Sequence, residues 1–380
     1  MSRDKFDIGA LDGLSRRALL QIAPVLFSLP IIAESTLAWA QDKLVGTGEV
    51  VVQNFGGSFA EAMRRAVHDP FTKATGIKVI DVVSDLAEPQ VTAMFRAGKV
   101  DWDLADIQTS NYPAMHAAGM FVPIDYGLWD QEALQGIPPD ARLESAVLRF
   151  STGMTMAYDE RAFPRGAPKN WTDFWDVRKF PGPRGLSASG ARYNFVIALL
   201  ADGVAHEDVW PLTEDKLDRA IKKLNEIKPH IAKWWSAGGE PVQLLINREY
   251  AMSSAADGRL LSAMRQGAPI KFTWQDALII NSPVSVILSG GANSMNAQKL
   301  IAFMSRAEIS AAFTQAANFP APNLNQMKYL PADLLPLFSI NPQNAAKGVV
   351  QDNAWLAQTR ADGKTNAAYL EERWLAWRAS

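Results

Sequence analysis

Gly56, Gly57 and Ser58 form a short segment that could bind an anion, because it separates a predicted strand from a predicted helix. Glycines in such a turn let a ligand approach the backbone, and the free N–H groups of a helix N-terminus favour a carboxylate. Phe55, just before the glycines, could stack on the carbon atoms of a ligand. An ordinary turn between strand and helix, capped by Ser58, explains the same residues and remains an alternative.

Arg259 is a second candidate for anion binding, because a guanidinium offers a planar pair of donors to a carboxylate. It follows Asp257 at the start of a predicted helix, and Arg192 precedes Tyr193 at the start of another. We predict ligand contacts for all four side chains. Solvated surface arginines are the alternative for Arg259 and Arg192.

Three large aromatic residues, Trp235, Trp274 and Phe319, could form walls of a ligand site. Large aromatic side chains are first of all core residues, so burial without ligand contact is the alternative. Asp276 is close to Trp274 in sequence and is a candidate for an acidic ligand contact.

Catalytic and metal motifs are missing from the sequence. The histidines are isolated in sequence, and none forms the spaced pair of a zinc-binding helix. The nucleophile elbow, the phosphate-binding loop and the dinucleotide-binding glycine pattern are also missing. We expect no catalytic residue, no metal and no cofactor. An exported hydrolase acting in an interdomain cleft is the alternative function, and an iron or anion binder of similar fold is a minor third one.

Residues 1–40 are predicted to be an export signal that is removed after Ala40. Arg16 and Arg17 precede an apolar run from Ala18 to Ala33 and resemble the twin-arginine signal. This run has 16 residues and is interrupted, whereas a transmembrane helix needs roughly 20. We therefore expect a monomeric protein in the periplasm.

The composition excludes several classes of protein. The 380 residues include no cysteine, so neither a disulfide framework nor a lipid-modified cysteine is possible. The net charge is −2 with scattered charges, which lacks the basic stripe of a nucleic-acid or anionic-membrane surface. After removal of the signal, the chain is longer than one hydrophobic core usually serves, so we predict two domains.

Short β-branched runs alternate with helical stretches from Glu49 onward, which predicts an α/β fold with parallel strands. The first three strands are expected near 50–52, 77–83 and 104–107, with helices at 58–75 and 89–97 between them. A second block has predicted helices near 191–202 and 214–230, after which the chain returns with a strand at 284–288.

The order of these elements predicts two lobes with a hinge and a cleft between them. Lobe 1 comprises 41–152 plus about 284–335, and lobe 2 comprises 153–275 plus about 336–380. Crossings between the lobes are expected near 150–158 and 271–289. Small ligands bind in such clefts, and hinge closure buries them.

At this point the sequence resembles the periplasmic solute-binding family that includes the spermidine- and putrescine-binding proteins. The likeness covers nearly all of 47–380, and the matching segments are VVQNFGGSF (51–59), FTKATGIKV (71–79), NWTDFWD (170–176), WW (234–235), NREYAM (247–252), DGR (257–259), AQKLIAFM (297–304) and NFPAPN (318–323). The resemblance implies a two-lobed type II periplasmic-binding-protein fold, no catalysis, and an ABC permease and an ATPase as partners. It also implies a binding role for Arg259.

One departure from this family affects the expected ligand. The alignment places Gly190, Tyr193 and Pro283 at positions where polyamine binders carry acids. A buried ammonium group without an acidic partner is costly, so a fully charged polyamine is disfavoured, unless Asp276 takes over this role. We predict the substrate-binding component of an ABC importer that closes over a small amine- and/or carboxylate-bearing solute of γ-aminobutyrate, opine or polyamine type.

Overall fold

Two mixed β-sheets form the framework of the fold, which we describe from a computed structural model over residues 43–84, 87–188 and 190–380. The predicted export signal and its cleavage position lie outside these residues. Within them, none of the helices has the length and apolar character required to cross a bilayer. Helices and strands alternate along the chain, which confirms the predicted α/β class.

The strands of the described residues are β1 (Glu49–Asn54), β2 (Lys78–Val83), β3 (Leu104–Ile107), β4 (Phe121–Val122), β5 (Ala146–Leu148), β6 (Ser151–Asp159), β7 (Arg184–Ser187), β8 (Ile231–Trp235), β9 (Met252–Ala256), β10 (Ile270–Asn281), β11 (Val284–Leu288) and β12 (Val349–Val350). The first sheet has the order β2-β1-β3-β11-β4, and β5 also pairs with β11. The second sheet has the order β12-β10-β6-β9-β7-β8. In the first sheet β1 is parallel to β2 and β3, as the alternating pattern predicted, whereas β11 is antiparallel to its neighbours.

The α-helices are α1 (Gly57–Met63), α2 (Asp69–Thr75), α3 (Glu88–Ala97), α4 (Tyr112–Ala117), α5 (Gln131–Gly136), α6 (Trp171–Trp175), α7 (Ala191–Ala201), α8 (Glu214–Ile227), α9 (Glu240–Ile246), α10 (Asp257–Arg265), α11 (Ser294–Met304), α12 (Ala307–Ala317), α13 (Pro342–Ala345), α14 (Asn353–Ala357) and α15 (Asn366–Ala379). A π-helical segment, Arg64–His68, joins α1 to α2. Together these three pieces form the helix that the sequence predicts over 58–75.

Glycines end the first helices where the sequence predicts. Gly76 follows α2 with φ 82°, and Gly98 follows α3 with φ 66°. This left-handed conformation has little steric cost without a Cβ, so glycine is the usual residue at the end of a helix. Phe71 in α2 is fully buried, as expected for the apolar face of that helix.

Helix α7 packs in the core of the second sheet and is buried along most of its length. Phe195 of α7 contacts Trp374 of α15 edge to face at 5.8 Å. Trp171 and Phe174 of α6 are also fully buried in this core. Aromatic side chains of this size contribute a large apolar area each, which explains why a short helix such as α6 is held in place.

Two segments connect the sheets next to each other. The first runs from β5 into β6 and the second from β10 into β11. Arg149 N donates to Pro283 O at 2.8 Å, and Ser151 Oγ donates to Asn281 Oδ1 at 2.7 Å. Residues Val45–Ser380 form one compact unit, so the division into two lobes at the boundaries given above stays a prediction.

Candidate functional site

A cavity of about 760 Å³ lies beside the two connecting segments. Its wall is formed by the loop between β1 and α1, by the first turns of α7 and α10, by α9, and by the C-terminal end of α12. Phe150 and Ser282, from the two connections themselves, complete the wall. The wall therefore combines side chains from elements of both sheets.

The structure brings seven of the predicted ligand-binding residues into this wall. They are Phe55, Gly56, Gly57, Arg192, Tyr193, Arg259 and Phe319. These residues come from four separate parts of the sequence, so their meeting at one cavity is a property of the fold.

At the glycine turn, the backbone of Gly56 lies close to the side chain of Val83 in β2. Gly56 has φ 69°, and a Cβ on it would lie 2.8 Å from Val83 Cγ1. Its N–H donates to Asn54 Oδ1 at 2.8 Å, so this group is not free for a ligand. Gly57 has φ 53°, with no atom within 4 Å of its Cβ position. The side chain of Ser58 lies outside the described part of the structure.

Arg259 is in the first turn of α10 and has an exposed side chain on the cavity wall. Among the described residues, no group forms a hydrogen bond or an ion pair with its guanidinium. A Cβ on Gly238 would lie only 3.1 Å from Arg259 Nε, so the glycine leaves room for the arginine. An uncompensated guanidinium beside a cavity is well suited to bind a carboxylate with two parallel hydrogen bonds.

Unlike Arg259, Arg192 has contacts within the protein that hold its guanidinium in place. Its Nη2 donates to Tyr193 Oη at 2.9 Å, and its Cζ lies 5.0 Å from the centre of the Tyr193 ring. Its charge acts on Glu371 of α15: burial raises the pKa of Glu371, and the hydrogen bond from the Ala191 amide and the charge of Arg192 lower it in part. Arg192 and Tyr193 thus form a pair that directs polar atoms at the cavity from α7.

Four phenylalanines form a continuous apolar part of the wall. Ring centres are 5.2 Å apart for Phe55 and Phe59, 5.8 Å for Phe59 and Phe150, and 4.9 Å for Phe150 and Phe319. Phe59 fits the apolar face of the predicted helix, and nothing in the sequence distinguishes Phe150 from a core residue. Such rings can cover the carbon atoms of a ligand.

Asp257 lies beneath the wall and is fully buried. Its Oδ1 accepts hydrogen bonds from Thr152 Oγ1 at 2.8 Å and from Gly153 N at 3.0 Å. Its Oδ2 is buried without a hydrogen-bond partner among the described residues. Burial raises the pKa of Asp257 to about 6. This residue therefore holds α10 against β6 and does not line the cavity.

Three other predicted residues also lie away from the cavity. Trp235 is buried, and its indole nitrogen donates to Ser254 Oγ at 3.3 Å. Trp274 borders a separate surface depression, and its indole nitrogen donates to Leu337 O at 3.3 Å. Asp276 Oδ1 lies 2.7 Å from His206 Nε2, so its charge already has a partner. None of the three is part of the site proposed below, because each is occupied by contacts within the fold.

Neutral polar side chains in the wall were missed by reasoning from the sequence. Ser282 Oγ donates to Gln108 Oε1 at 3.1 Å and accepts from Thr109 N at 3.2 Å. Thr152 also lines the cavity. A polar turn directly after a buried strand was the only signal for Gln108, and it did not indicate a ligand contact.

The charges of the wall have one sign. Over the part of the chain that the structure describes, Arg192 and Arg259 line the cavity, and no aspartate or glutamate does. In the same residues no group of three acidic or histidine side chains is placed to hold a metal ion. The arrangement can therefore bind an anion with a carbon skeleton.

Comparison with known proteins identifies similar chains. A family model described as bacterial extracellular solute-binding protein matches residues 66–328. The γ-aminobutyric acid-binding protein of Pseudomonas aeruginosa is 30% identical over 368 residues, which cover 96% of this chain and 99% of the relative. The spermidine/putrescine-binding periplasmic protein of Salmonella typhimurium is 24% identical over 294 residues, which cover 75% of this chain and 82% of the relative.

A solved structure supports the same relationship. The ABC transporter substrate-binding protein of Bradyrhizobium japonicum has a TM-score of 0.78 and 28% sequence identity to this chain. The match covers 87% of this chain and 99% of the solved one. The comparisons confirm the resemblance inferred from the sequence motifs and the type II periplasmic-binding-protein fold.

Proposed function

Because the chain belongs to the family of bacterial extracellular solute-binding proteins, we propose that it is the substrate-binding component of an ABC importer for a small carboxylate-bearing solute. The two relatives described above differ in the charge of the ligand that they bind. One binds γ-aminobutyric acid, which has a carboxylate, and the other binds polyamines, which have none. The charge of the cavity wall favours the carboxylate.

The observation that carries the proposal is the unpartnered guanidinium of Arg259 on the cavity wall. Hydrogen bonds that involve charged groups are each worth about 1.5–3 kcal/mol, more than neutral ones. The carboxylate binds Arg259, and the carbon skeleton packs on the phenylalanine rings described above. The solute class is thus of γ-aminobutyrate or opine type.

Binding drives the two sheets and their helices to close over the solute. A ligand shifts such an equilibrium only by the difference in its affinity for the closed and open states. The wall offers this difference, since Arg259 and Arg192 come from elements of the second sheet and Phe55 from the first. A solute that contacts both sides binds the closed state more tightly. The closed form then docks on the permease, and the ATPase drives transport.

The location follows from the family. Its members are extracellular solute-binding proteins, and the Salmonella relative is periplasmic. We assign this chain to the periplasm, after export by a twin-arginine-like signal and cleavage after Ala40. Members of the family are solute-binding proteins rather than enzymes, and incubation with candidate solutes is expected to give saturable binding without product.

A thermal-shift screen tests the function. γ-Aminobutyrate, valerate, opine-type carboxylates and spermidine are each added to the mature protein, and carboxylates are expected to raise the melting temperature because they bind the native state. A large shift with spermidine and none with any carboxylate would contradict the proposal.

Variants of Arg259 connect the binding to the site. Arg259→Gln is expected to lower the affinity for carboxylates by about 10- to 100-fold, as the loss of one charged hydrogen-bond donor predicts. Arg259→Lys keeps the charge without the planar fork and should give an intermediate value. Arg96→Gln, at an exposed arginine of α3 away from the cavity, is the matched control and should bind as the wild type does.

A further inference from the structure

The cavity has a cationic wall without an acidic partner for a cationic ligand group. Arg192 and Arg259 are the charged residues of the wall within the described ranges. The other side chains there that could contact a second polar end of the solute, such as Tyr193, Gln108 and Ser282, are neutral. An ammonium group in this cavity would lose its water and gain no opposite charge from the residues that the structure describes.

The nearest buried carboxylate is not available to replace such a partner. Asp257 Oδ1 accepts hydrogen bonds from Thr152 Oγ1 and Gly153 N at the start of β6. The residue is fully buried behind the wall, and its raised pKa shows that its surroundings disfavour the charged form. An ammonium group cannot form an ion pair with a carboxylate that does not reach the cavity.

Arg192 supplies a second place for an anion. It is half-buried in the first turn of α7, and its side chain is held against the Tyr193 ring. Glu371, which faces Arg192, receives the Ala191 amide and is not part of the wall. The cavity side of Arg192 and the hydroxyl of Tyr193 are thus positioned to contact the end of a solute whose first carboxylate is held by Arg259.

We propose that the cavity selects a net anionic solute with two acidic groups, in which a carboxylate rather than an ammonium group occupies the end near Arg192 and Tyr193. This inference rests on the proposed function and specifies its substrate class. It separates this chain from the Pseudomonas relative, whose γ-aminobutyric acid has an amine at the second end.

Four compounds with related chains test the proposal by isothermal titration calorimetry. Glutarate, valerate and γ-aminobutyrate have a carboxylate and three methylene groups and differ only in the second end, which is a carboxylate, a methyl or an ammonium group; putrescine has two ammonium groups. Glutarate is expected to bind at least ten-fold more tightly than γ-aminobutyrate, valerate between them, and putrescine not measurably. Arg192→Gln should weaken glutarate at least five-fold and leave valerate within two-fold, while Arg96→Gln changes neither.

The outcomes separate the two proposals. Tighter binding of γ-aminobutyrate than of glutarate, dependent on Arg259, would overturn this inference and leave the proposed function in place. An unchanged preference for glutarate in Arg192→Gln would also overturn the inference. Failure of all three carboxylates would refute the proposed function itself.

Discussion

At the scale of single residues, the cavity wall is positioned by buried acidic and basic side chains that lie behind it. Asp257 is the first residue of α10, two positions before Arg259, and its carboxylate receives Thr152 Oγ1 and Gly153 N from β6. The position of Arg259 is therefore tied to the strand that follows the first connection between the sheets. Reasoning from the sequence predicted a ligand contact for Asp257, and the structure places its side chain buried and bonded to β6.

The titration of Asp257 gives a pH-dependent stability. Its pKa in the folded protein is raised to about 6 from 3.8, so between these values the folded state binds more protons than the unfolded state. Stability therefore falls as the pH rises from about 4 to about 6, by an amount on the order of 2–3 kcal/mol from this group. We expect Asp257→Asn to flatten this fall and to be at least as stable as the wild type at pH 8.

Urea unfolding from pH 4 to pH 8 measures the effect as the difference between variant and wild type. Asp101→Asn, at an exposed aspartate with only a surface ion pair, is the control and should not change the pH profile. A parallel pH dependence for wild type and Asp257→Asn would disprove the assignment.

A buried ion pair, formed by Arg149 and Asp106, lies at the first connection between the sheets. Arg149 Nε lies 3.9 Å from Asp106 Oδ2, and both side chains are almost fully buried. Burial raises the pKa of Asp106 and lowers that of Arg149, which means that desolvation outweighs their attraction. The guanidinium also lies 4.2 Å from the centre of the Phe313 ring.

Removing one partner of this ion pair should lower the free energy of unfolding more than removing both partners does. Arg149→Met leaves the Asp106 carboxylate buried with Ser285 Oγ as its hydrogen-bond donor at 2.6 Å, and should lower the free energy of unfolding by about 3–5 kcal/mol. The double variant Asp106→Asn, Arg149→Met is expected to recover much of this loss. Equal losses in the single and double variants, measured by urea unfolding, would show that the charge of Asp106 is not what makes the single variant unstable.

At the scale of elements, α10 carries Arg259 and packs against the C-terminal end of α12. A Cβ on Gly258 would lie 2.7 Å from Asn318 O and 2.7 Å from Phe319 Cε1. Arg265 Nη1, at the other end of α10, donates to Asn318 Oδ1 at 3.0 Å. The packing of α10 against the end of α12 therefore determines where Arg259 lies along the cavity wall.

Gly258→Ala is expected to push α10 away from this contact and to weaken solute binding. Overpacking of this kind usually costs about 1–3 kcal/mol of stability. Calorimetric affinity for a carboxylate solute, measured on protein shown to be folded, tests the effect on the site. Gly239→Ala is the matched control, because it lies in the same wall with its Cβ position 3.9 Å from the nearest Arg259 atom. If both variants bind alike, close packing at Gly258 does not position Arg259.

At the scale of the whole molecule, the proposed closure requires the two connections to act as a hinge between the sheets. Asn281 is the last residue of β10. Its side-chain Oδ1 accepts a hydrogen bond from Ser151 Oγ, and its carbonyl oxygen accepts from Thr109 Oγ1 and Asn353 Nδ2. These bonds cluster at the connections, and the cavity lies beside them, as expected for a hinge below a ligand site.

Closure predicts a more compact protein with bound solute. Small-angle scattering should give a smaller radius of gyration at saturating carboxylate, and a concentration 100 times the dissociation constant should stabilise the fold by about 2.7 kcal/mol. At the same solute concentration Arg259→Gln, with its affinity lowered 10- to 100-fold, should be stabilised by only about 0.4–1.4 kcal/mol and should be correspondingly less compact. Stabilisation without compaction would indicate a rigid site and would contradict the hinge.

Much of the architecture could be predicted from local patterns. The alternation of β-branched runs and helices indicated the α/β class, and Gly76 indicated the end of the first helix, because these signals depend on residues near each other in sequence. The sequence did not reveal the positive φ of Asp276 within β10, where the pairing with β6 shifts register, because the tertiary contacts of that strand produce it.

The sequence by itself determined the absence of cysteine, indicated the family, and predicted the candidate arginines and the loss of the acids expected of a polyamine site. Only the tertiary structure decided which candidates meet. Arg259, Phe55 and Phe319 share one cavity, whereas Asp257, Trp274 and Asp276 are occupied by hydrogen bonds elsewhere. The physical reason is that residue type limits what a side chain can bind, but its remaining partners depend on which distant segments the fold brings against it.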